Sequence, residues 1–145
     1  MVDEKQVLDG FFSGICCSML VFGEAAHGLG IDEVTARKIA SCFGSGMEHA
    51  GLCGCVTGAY MALGLKYGNG APGEVEKIAR LKEKKAEFER RFVERWGSLE
   101  CTKMLGLDPA DPKELQAAAE GGLFASVCAP AVCSACEILK ELERE

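Results

Sequence analysis

The chain has 145 residues, of which 48% are apolar, enough for one domain with a hydrophobic core of its own. Its net charge of −6 gives no electrostatic basis for binding nucleic acid or an anionic membrane. Nine residues are cysteine, and because nine is odd, a monomer with every cysteine in a disulfide is excluded.

Helical spacing of apolar residues recurs along the chain, while strand patterns are nearly absent, so we predict an all-α fold. A first helix is predicted over residues 4–27, ending at Gly28. Its core stripe comprises Leu8, Phe12, Ile15, Met19 and Phe22. A second helix is predicted from the capping residue Asp32 to about Phe43, with Ile39 and Phe43 facing inward.

A third helix, predicted over residues 54–66, is apolar nearly all round, which is typical of a buried central helix. Within it Gly54, Gly58 and Ala62 recur every four residues. This strip of small side chains allows another backbone to approach closely. The glycine-rich segment 68–73 then predicts a break in helical structure.

The pattern of the second half of the chain predicts one long helix followed by shorter ones. A strongly amphipathic helix is predicted over residues 74–96. Further helices are predicted after the cap Ser98, from residues 111–112 to Glu120, and from about Pro130 to the C-terminus. We therefore expect a single domain, residues 1–145, built as a bundle of about five to seven helices around a buried Gly/Ala-rich helix.

The expected location of the protein rests on the lack of a signal-peptide pattern and of a membrane-spanning apolar stretch. The first residues lack the basic start and apolar middle of a signal peptide. The longest apolar stretch, residues 15–22, is far shorter than the ~20 residues that a membrane helix needs. We expect a cytoplasmic protein without membrane insertion, in which thiols stay reduced. Nine cysteines then favour metal-binding or catalytic roles over structural disulfides.

Three cysteines, Cys53, Cys101 and Cys128, are predicted at the starts of helices. A thiol at this position faces unpaired backbone N–H groups and the positive end of the helix dipole. Both stabilise a thiolate, the form that attacks disulfides and binds metals. A fourth, Cys17, is predicted opposite the stripe of the first helix, among small residues that leave room for a bulky group.

The other five cysteines are interpreted mainly as small packing residues: Cys16, Cys42, Cys55, Cys133 and Cys136. Cys133 and Cys136 share one face of the last helix, so a second metal or redox site there stays open. The spacing of Cys128, Cys133 and Cys136 matches a plant-type iron–sulfur run, but it falls on a helix instead of a loop. Glu137 follows Cys136, so the haem c attachment signature is absent.

The two histidines, His27 and His49, lie near a helix end and in a glycine-rich loop. Neither has the spacing of a zinc finger, and a surface or capping role is the simpler interpretation. Zinc is therefore the less favoured metal.

The segment Gly51-Leu-Cys-Gly-Cys-Val-Thr-Gly58 resembles the central motif of the redox-active family named for its C_GCAxxG_C_C pattern. The segments ending at Cys17 and Cys101, and the one that begins at Cys128, resemble the other cysteine segments of that family in the same order. The resemblance implies a helical domain with four principal cysteines, Cys17, Cys53, Cys101 and Cys128. A similar domain in split-Soret cytochromes is associated with an iron–sulfur centre. Cys55 departs from the pattern, because the family usually has alanine there.

These patterns leave three functions to compare. The leading hypothesis is an electron-transfer protein that binds an iron–sulfur cluster through the four principal cysteines, with Cys55 as a substitute ligand. The second is a metal-free thiol–disulfide oxidoreductase in which Cys53 attacks and Cys101 or Cys128 resolves. The third is a zinc-binding or purely structural protein. A redox partner protein of unknown identity is expected, and a homodimer is predicted because both faces of the first helix need burial.

Overall fold

The structure, a computed structural model, describes residues 1–145 and is all-α, as predicted. Eight α-helices and one π-helical turn form a single bundle, and the only β-type pairing is an isolated bridge between Leu52 and Glu100. The helices are α1 Glu4–Phe12, α2 Cys17–Ala25, α3 Glu33–Ala40, α4 Gly54–Tyr67, α5 Val75–Trp96, α6 Cys101–Leu105, α7 Pro112–Glu120 and α8 Ala129–Glu143. The π-helical turn, Phe124–Cys128, runs directly into α8.

The first predicted helix, residues 4–27, is in fact two helices, so that prediction is wrong. Helix α1 ends at Phe12, and Gly14 two residues later adopts a φ of 86°, a left-handed conformation that glycine reaches without strain. The amide of Ile15 then donates to the carbonyl of Gly10 at 2.9 Å, which turns the chain before α2 begins. As a result Phe12, predicted in the core, is 83% exposed, and Cys17 becomes the first residue of a new helix.

Helix α2 lies at the centre of the bundle, packed against α3, α4 and α8. Ser18, Leu20, Val21, Phe22 and Gly23 are all buried within the single chain. The homodimer was predicted because both faces of the first helix need burial. Since the chain itself covers these faces of α2, that reasoning no longer requires a second copy.

The crossing of α2 and α4 confirms the predicted strip of small residues. A Cβ atom at Gly58 would lie 2.8 Å from the backbone oxygen of Ser18 and 3.1 Å from its Cα. A Cβ atom at Gly54 would lie 3.0 Å from the Cβ of Cys17. Glycine at these two positions therefore sets how closely the start of α2 approaches the start of α4.

Helix α3 packs on α2 through its alanines, not through its larger apolar residues. Ala36 and Ala40 are fully buried, whereas Ile39, predicted to face inward, is 50% exposed. The hydroxyl of Ser18 donates to the carbonyl of Ala40 at 2.7 Å, a contact that requires a close approach of the two backbones. Small residues thus occupy the inner face of α3. The predicted cap Asp32 is confirmed and accepts from the amide of Thr35.

The predicted helices over residues 54–66 and 74–96 are confirmed as α4 and α5 within one residue at each end. Phe88 and Phe92 of α5 are fully buried and stacked, with ring centroids 5.7 Å apart. On its outer side, Arg91 pairs with Glu87 of the same helix and with Glu141 of α8. Half-exposed ion pairs of this kind contribute little each, so the buried aromatic face does most to hold α5 in place.

No single helix has both the length and the apolar character needed to cross a membrane. Taken together, Pro112–Glu120 and Phe124–Glu143 reach that limit, but they are bent by 76° relative to each other.

The loop between α3 and α4 contains an unusual run of left-handed backbone. Ser45, Met47, Glu48 and Ala50 have φ values of 53°, 61°, 60° and 57° although none of them is glycine. The segment Gly46–Ala50 has a π-type hydrogen bond from the amide of Gly51 to the carbonyl of Gly46, but its dihedral angles are not helical. Such residues cost roughly 1–3 kcal/mol each and concentrate at functional sites.

We expect Glu48→Gly to stabilise the protein by about 0.5–1 kcal/mol. Glu48 is exposed, and glycine removes the left-handed strain at the cost of a more flexible unfolded chain. The midpoint of thermal unfolding, followed by circular dichroism, measures the change. Glu48→Ala is the matched control, because alanine keeps the strain and should give no gain. A lower midpoint for Glu48→Gly than for Glu48→Ala would contradict the assignment of strain to this loop.

Candidate functional site

The starts of α4 and α6 are clamped side by side by backbone hydrogen bonds. The amide of Cys53 donates to the carbonyl of Leu99 at 2.8 Å, and the amide of Cys101 donates to the carbonyl of Gly51 at 3.0 Å. These two bonds flank the Leu52–Glu100 bridge. Because each bond begins at a cysteine, the clamp brings Cys53 and Cys101 together although they are far apart in the sequence.

Cys17 joins this pair from α2, since its Cβ packs directly over the start of α4 at Gly54. The neighbouring Cys16 fits into a notch at Gly44, where an added Cβ would lie only 2.7 Å from the Cys16 sulfur. The Cys16 sulfur also lies 3.3 Å from the hydroxyl oxygen of Ser18. The break before α2 and the glycines of the facing chain therefore fix both cysteines.

Cys128 lies at the last position of the π-helical turn before α8. Its predicted place beside the start of the last helix is confirmed, but this is not a free helix end. The amide of Ala129 already donates to the carbonyl of Phe124, and Pro130 has no amide hydrogen. The next residues thus offer little of the N–H stabilisation that the sequence suggested for this thiol.

Three of the four principal cysteines, Cys17, Cys101 and Cys128, line one cavity of about 250 Å³. Cys53 is 6% exposed and lies close enough to influence both Cys101 and Cys128 electrostatically. The other residues of the wall are Phe11, Gly14, Ile15, Cys16, Ser45, Leu105, Pro109, Leu115 and Phe124. The wall contains no carboxylate and no histidine, so its only metal-ligating side chains are thiols.

The electrostatics of the site single out Cys53. The neighbouring Cys55 thiol, followed by the backbone N–H groups of Cys55 and Val56, holds the pKa of Cys53 below its usual range although burial opposes this. Cys55 is fully buried, and the neighbouring thiols of Cys17 and Cys53, together with burial, hold its pKa well above the ordinary value. Of the three cysteines predicted at helix starts, Cys53 is therefore the one whose pKa is lowered.

At the other two helix-start cysteines, burial is the dominant influence on the pKa. It raises the pKa of the Cys101 thiol to about 12, with smaller contributions from Cys53 and Cys17. The pKa of Cys128 is also raised, mainly by burial and then by the other cysteines of the site. The expectation of a readily formed thiolate at Cys101 and Cys128 is therefore wrong for the metal-free protein. A cationic ligand in the cavity would reverse this preference, because it replaces the thiol protons.

The cysteines surround a space and do not meet at a point. No group of three or more His, Cys, Asp or Glu side chains in the chain is arranged to hold a single metal ion. A tetrahedral zinc site needs four ligands about 2.0–2.3 Å from one ion. An all-thiol set spread around an apolar cavity instead suits a group of several atoms, such as an iron–sulfur cluster.

The remaining candidates lie outside this site. His27 pairs with Glu33 at 3.0 Å on the surface, and His49 is exposed in the loop before α4. Cys42, interpreted from the sequence as a packing residue, is exposed after α3, so that interpretation is wrong. Cys133 and Cys136 are on α8 and do not line the cavity.

Sequence reasoning did not predict that Cys16, interpreted mainly as a packing residue, lines the cavity. It also missed the aromatic part of the wall, where Phe11 and Phe124 meet edge to face with centroids 6.2 Å apart. Gly14 was the available signal, because a glycine inside a predicted helix allows the break that turns Phe11 and Cys16 toward the same cavity.

Comparison with known proteins gives one family. The family model described as "Putative redox-active protein (C_GCAxxG_C_C)" matches residues 15–142, nearly the whole chain. Searches of curated proteins and of solved structures give no significant match. The matched range includes every cysteine of the chain.

Proposed function

The chain belongs to the C_GCAxxG_C_C family of redox-active proteins, and from this premise we propose that it transfers electrons through an iron–sulfur cluster. Cys17, Cys53, Cys101 and Cys128 would hold the cluster, and Cys55 is the candidate substitute ligand. The observation that carries the proposal is the cavity of about 250 Å³, lined by three of these thiols, with the buried Cys53 held beside Cys101 by backbone hydrogen bonds. A bound cluster would supply one-electron transfer.

The protein's own groups have separate tasks in this proposal. The backbone N–H groups of Cys55 and Val56, which help to lower the pKa of Cys53, would stabilise negative charge on that ligand. The apolar wall, which includes Leu105, Leu115 and Phe124, limits the contact of the sulfurs with water, although Cys17 and Cys128 are only half-buried. Hydrogen bonds to sulfur and exclusion of solvent are both known to set the reduction potential of such centres.

The test is metal analysis of protein purified without oxygen. We expect iron and acid-labile sulfide in matching amounts, with visible absorption that bleaches when the protein is reduced. Zinc in place of iron would support a structural metal site and contradict electron transfer. Protein that stays colourless and metal-free after attempted cluster reconstitution would contradict the cluster itself.

One observation favours a second candidate, a thiol–disulfide oxidoreductase. The lowered pKa of Cys53 makes it the thiol best suited to attack a disulfide R–S–S–R′, forming Cys53–S–S–R and releasing R′S⁻. Cys101, clamped beside it, would then attack the Cys53 sulfur and release RS⁻, leaving a Cys53–Cys101 disulfide. In metal-free protein, iodoacetamide should then modify Cys53 at a lower pH than Cys101, since both are similarly buried.

We also propose a cytoplasmic location. All nine cysteines are free thiols, which fits a reducing compartment. The identity of the redox partner and the formation of a homodimer stay predictions.

A further inference from the structure

The segment between α6 and the π-helical turn, residues 107–120, forms part of the cavity wall but packs weakly on the rest of the chain. Pro109 and Leu115 line the cavity, and Pro109 is buried. Within α7 only Ala118 is buried. Helix α7 is also the one α-helix without extensive packing against another helix. A few apolar side chains therefore hold this segment against the protein.

Polar contacts do not fix the segment in place. Its hydrogen bonds stay within residues 107–120, except for two from the amides of Gly121 and Gly122 to the carbonyls of Ala117 and Ala119. None of its charged side chains forms an ion pair; these are Asp108, Asp111, Lys113, Glu114 and Glu120. In contrast, α5 and α8 are joined by several ion pairs. Movement of residues 107–120 as a unit thus breaks no ion pair.

Glycines stand at both ends of the segment. Gly106 follows α6 with a φ of 72°, and Gly122 precedes the π-helical turn with a φ of 73°. An added Cβ atom at either glycine would meet nothing within 4 Å, so open space surrounds both. Hinges are a few residues at the ends of elements that absorb large changes in backbone angles, and glycine does so most freely. Both ends of the segment thus have the freedom that a hinge needs.

We propose that residues 107–120 form a lid, which moves about Gly106 and Gly121–Gly122 to open and close the cysteine cavity. Pro109 and Leu115 contribute to the wall when the lid is closed. Opening removes this part of the wall and gives access to Cys101, which is otherwise 8% exposed. The lid controls access to the site of the proposed function, whatever group the thiols bind there.

The test compares the reaction rates of two buried thiols in the reduced, metal-free full chain. Cys101 lies in the cavity, whereas Cys136 is 3% exposed on α8 and outside the cavity. Burial raises the pKa of both thiols to about 12, so a difference in rate reports a difference in access. The reagent is fluorescein maleimide, and mass spectrometry of the digested protein measures labelling at each cysteine. We expect Cys101 to react about tenfold faster than Cys136, because local opening exposes only Cys101.

Leu115→Ala removes an apolar contact that holds the lid closed. This variant should raise the Cys101 rate by about another tenfold and leave the Cys136 rate unchanged. The reagent is bulkier than the space left by the missing side-chain atoms, so this increase requires movement of the lid. Gln116→Ala is the matched control, because Gln116 is exposed on the same helix and should change neither rate. Equal increases at Cys101 and Cys136, or no increase at Cys101, would overturn the proposal.

Hydrogen exchange of the wild-type protein gives a second measurement, which needs no variant to fold. We expect the amides of α7 to exchange by local opening, at rates that low urea concentrations do not change, while those of α8 exchange only on wider unfolding. Protection of α7 equal to that of α8 would overturn the lid. Both measurements use protein without a cluster, so failure of the proposed function leaves their outcome unchanged.

Discussion

Gly58→Ala is expected to destabilise the protein by about 2 kcal/mol, lowering the thermal midpoint by roughly 4–8 °C. The added methyl group would lie 2.8 Å from the backbone oxygen of Ser18, closer than van der Waals contact allows. Backbone atoms cannot move aside as a flexible side chain does, so α2 and α4 must separate. Chemical and thermal unfolding followed by circular dichroism measure the loss.

Gly64→Ala is the matched control in the same helix. A Cβ atom at Gly64 meets nothing within 4 Å, so the substitution should stabilise α4 by about 0.5–1 kcal/mol through helix propensity. The two changes are chemically identical but should have opposite signs. If the Gly58→Ala variant were as stable as the Gly64→Ala variant, the close approach of α2 and α4 at Gly58 would be contradicted.

Cys53→Ser is expected to reduce bound iron at least tenfold and to abolish the visible absorption of the cluster. Serine preserves the size of the side chain but removes the thiolate ligand, and Cys53 is the thiol whose charged form the site already stabilises. Iron and sulfide per protein, measured after purification without oxygen, give the result. Circular dichroism checks that the variant is folded.

Two controls define the ligand set. Cys42→Ser removes an exposed cysteine outside the cavity and should keep the full iron content. In Cys53→Ser/Cys55→Ala, both thiols at the start of α4 are removed. If Cys53→Ser keeps its iron and the double variant loses it, Cys55 has acted as the substitute ligand. If both variants keep an unchanged spectrum, Cys53 is not a ligand.

Much of the fold follows from apolar spacing and caps, because these signals are local. Helices α4, α5 and α7 were predicted nearly to their observed bounds, since glycine-rich breaks or the Asp111-Pro112 start delimit them. The break between α1 and α2 was missed because Ile15 and Met19 continue the stripe of Leu8 in phase. Spacing alone cannot show that the chain turns at Gly14.

The inner face of α3 shows a different limit. Large apolar residues were expected to face the core, yet Ala36 and Ala40 do so while Ile39 is exposed. At a close helix crossing the smaller side chain is favoured, because it permits backbone approach and the bond from Ser18 to the carbonyl of Ala40. The face of α3 that packs closely is determined by the helix it packs against. The sequence of α3 alone therefore does not show which face this is.

The four cysteines of the candidate site were predictable from the sequence, but the burial and the pKa values of their thiols were not. Cys17, Cys53, Cys101 and Cys128 were selected from helix starts and family resemblance, and the fold brings them together. Their thiol pKa values were not predictable, because burial by distant segments decides them. At Cys101 burial outweighs any benefit of the helix start.

The clamp between Gly51–Cys53 and Leu99–Cys101 also constrains when the site can exist during synthesis. Its two halves are far apart in the sequence, and Cys128 is needed to complete the cavity wall. A chain still emerging from the ribosome therefore has the early cysteines without the late ones, and cannot assemble this cavity. The cavity can therefore form only once nearly the whole chain has been synthesised, so any ligand that needs all four cysteines can bind only after that point.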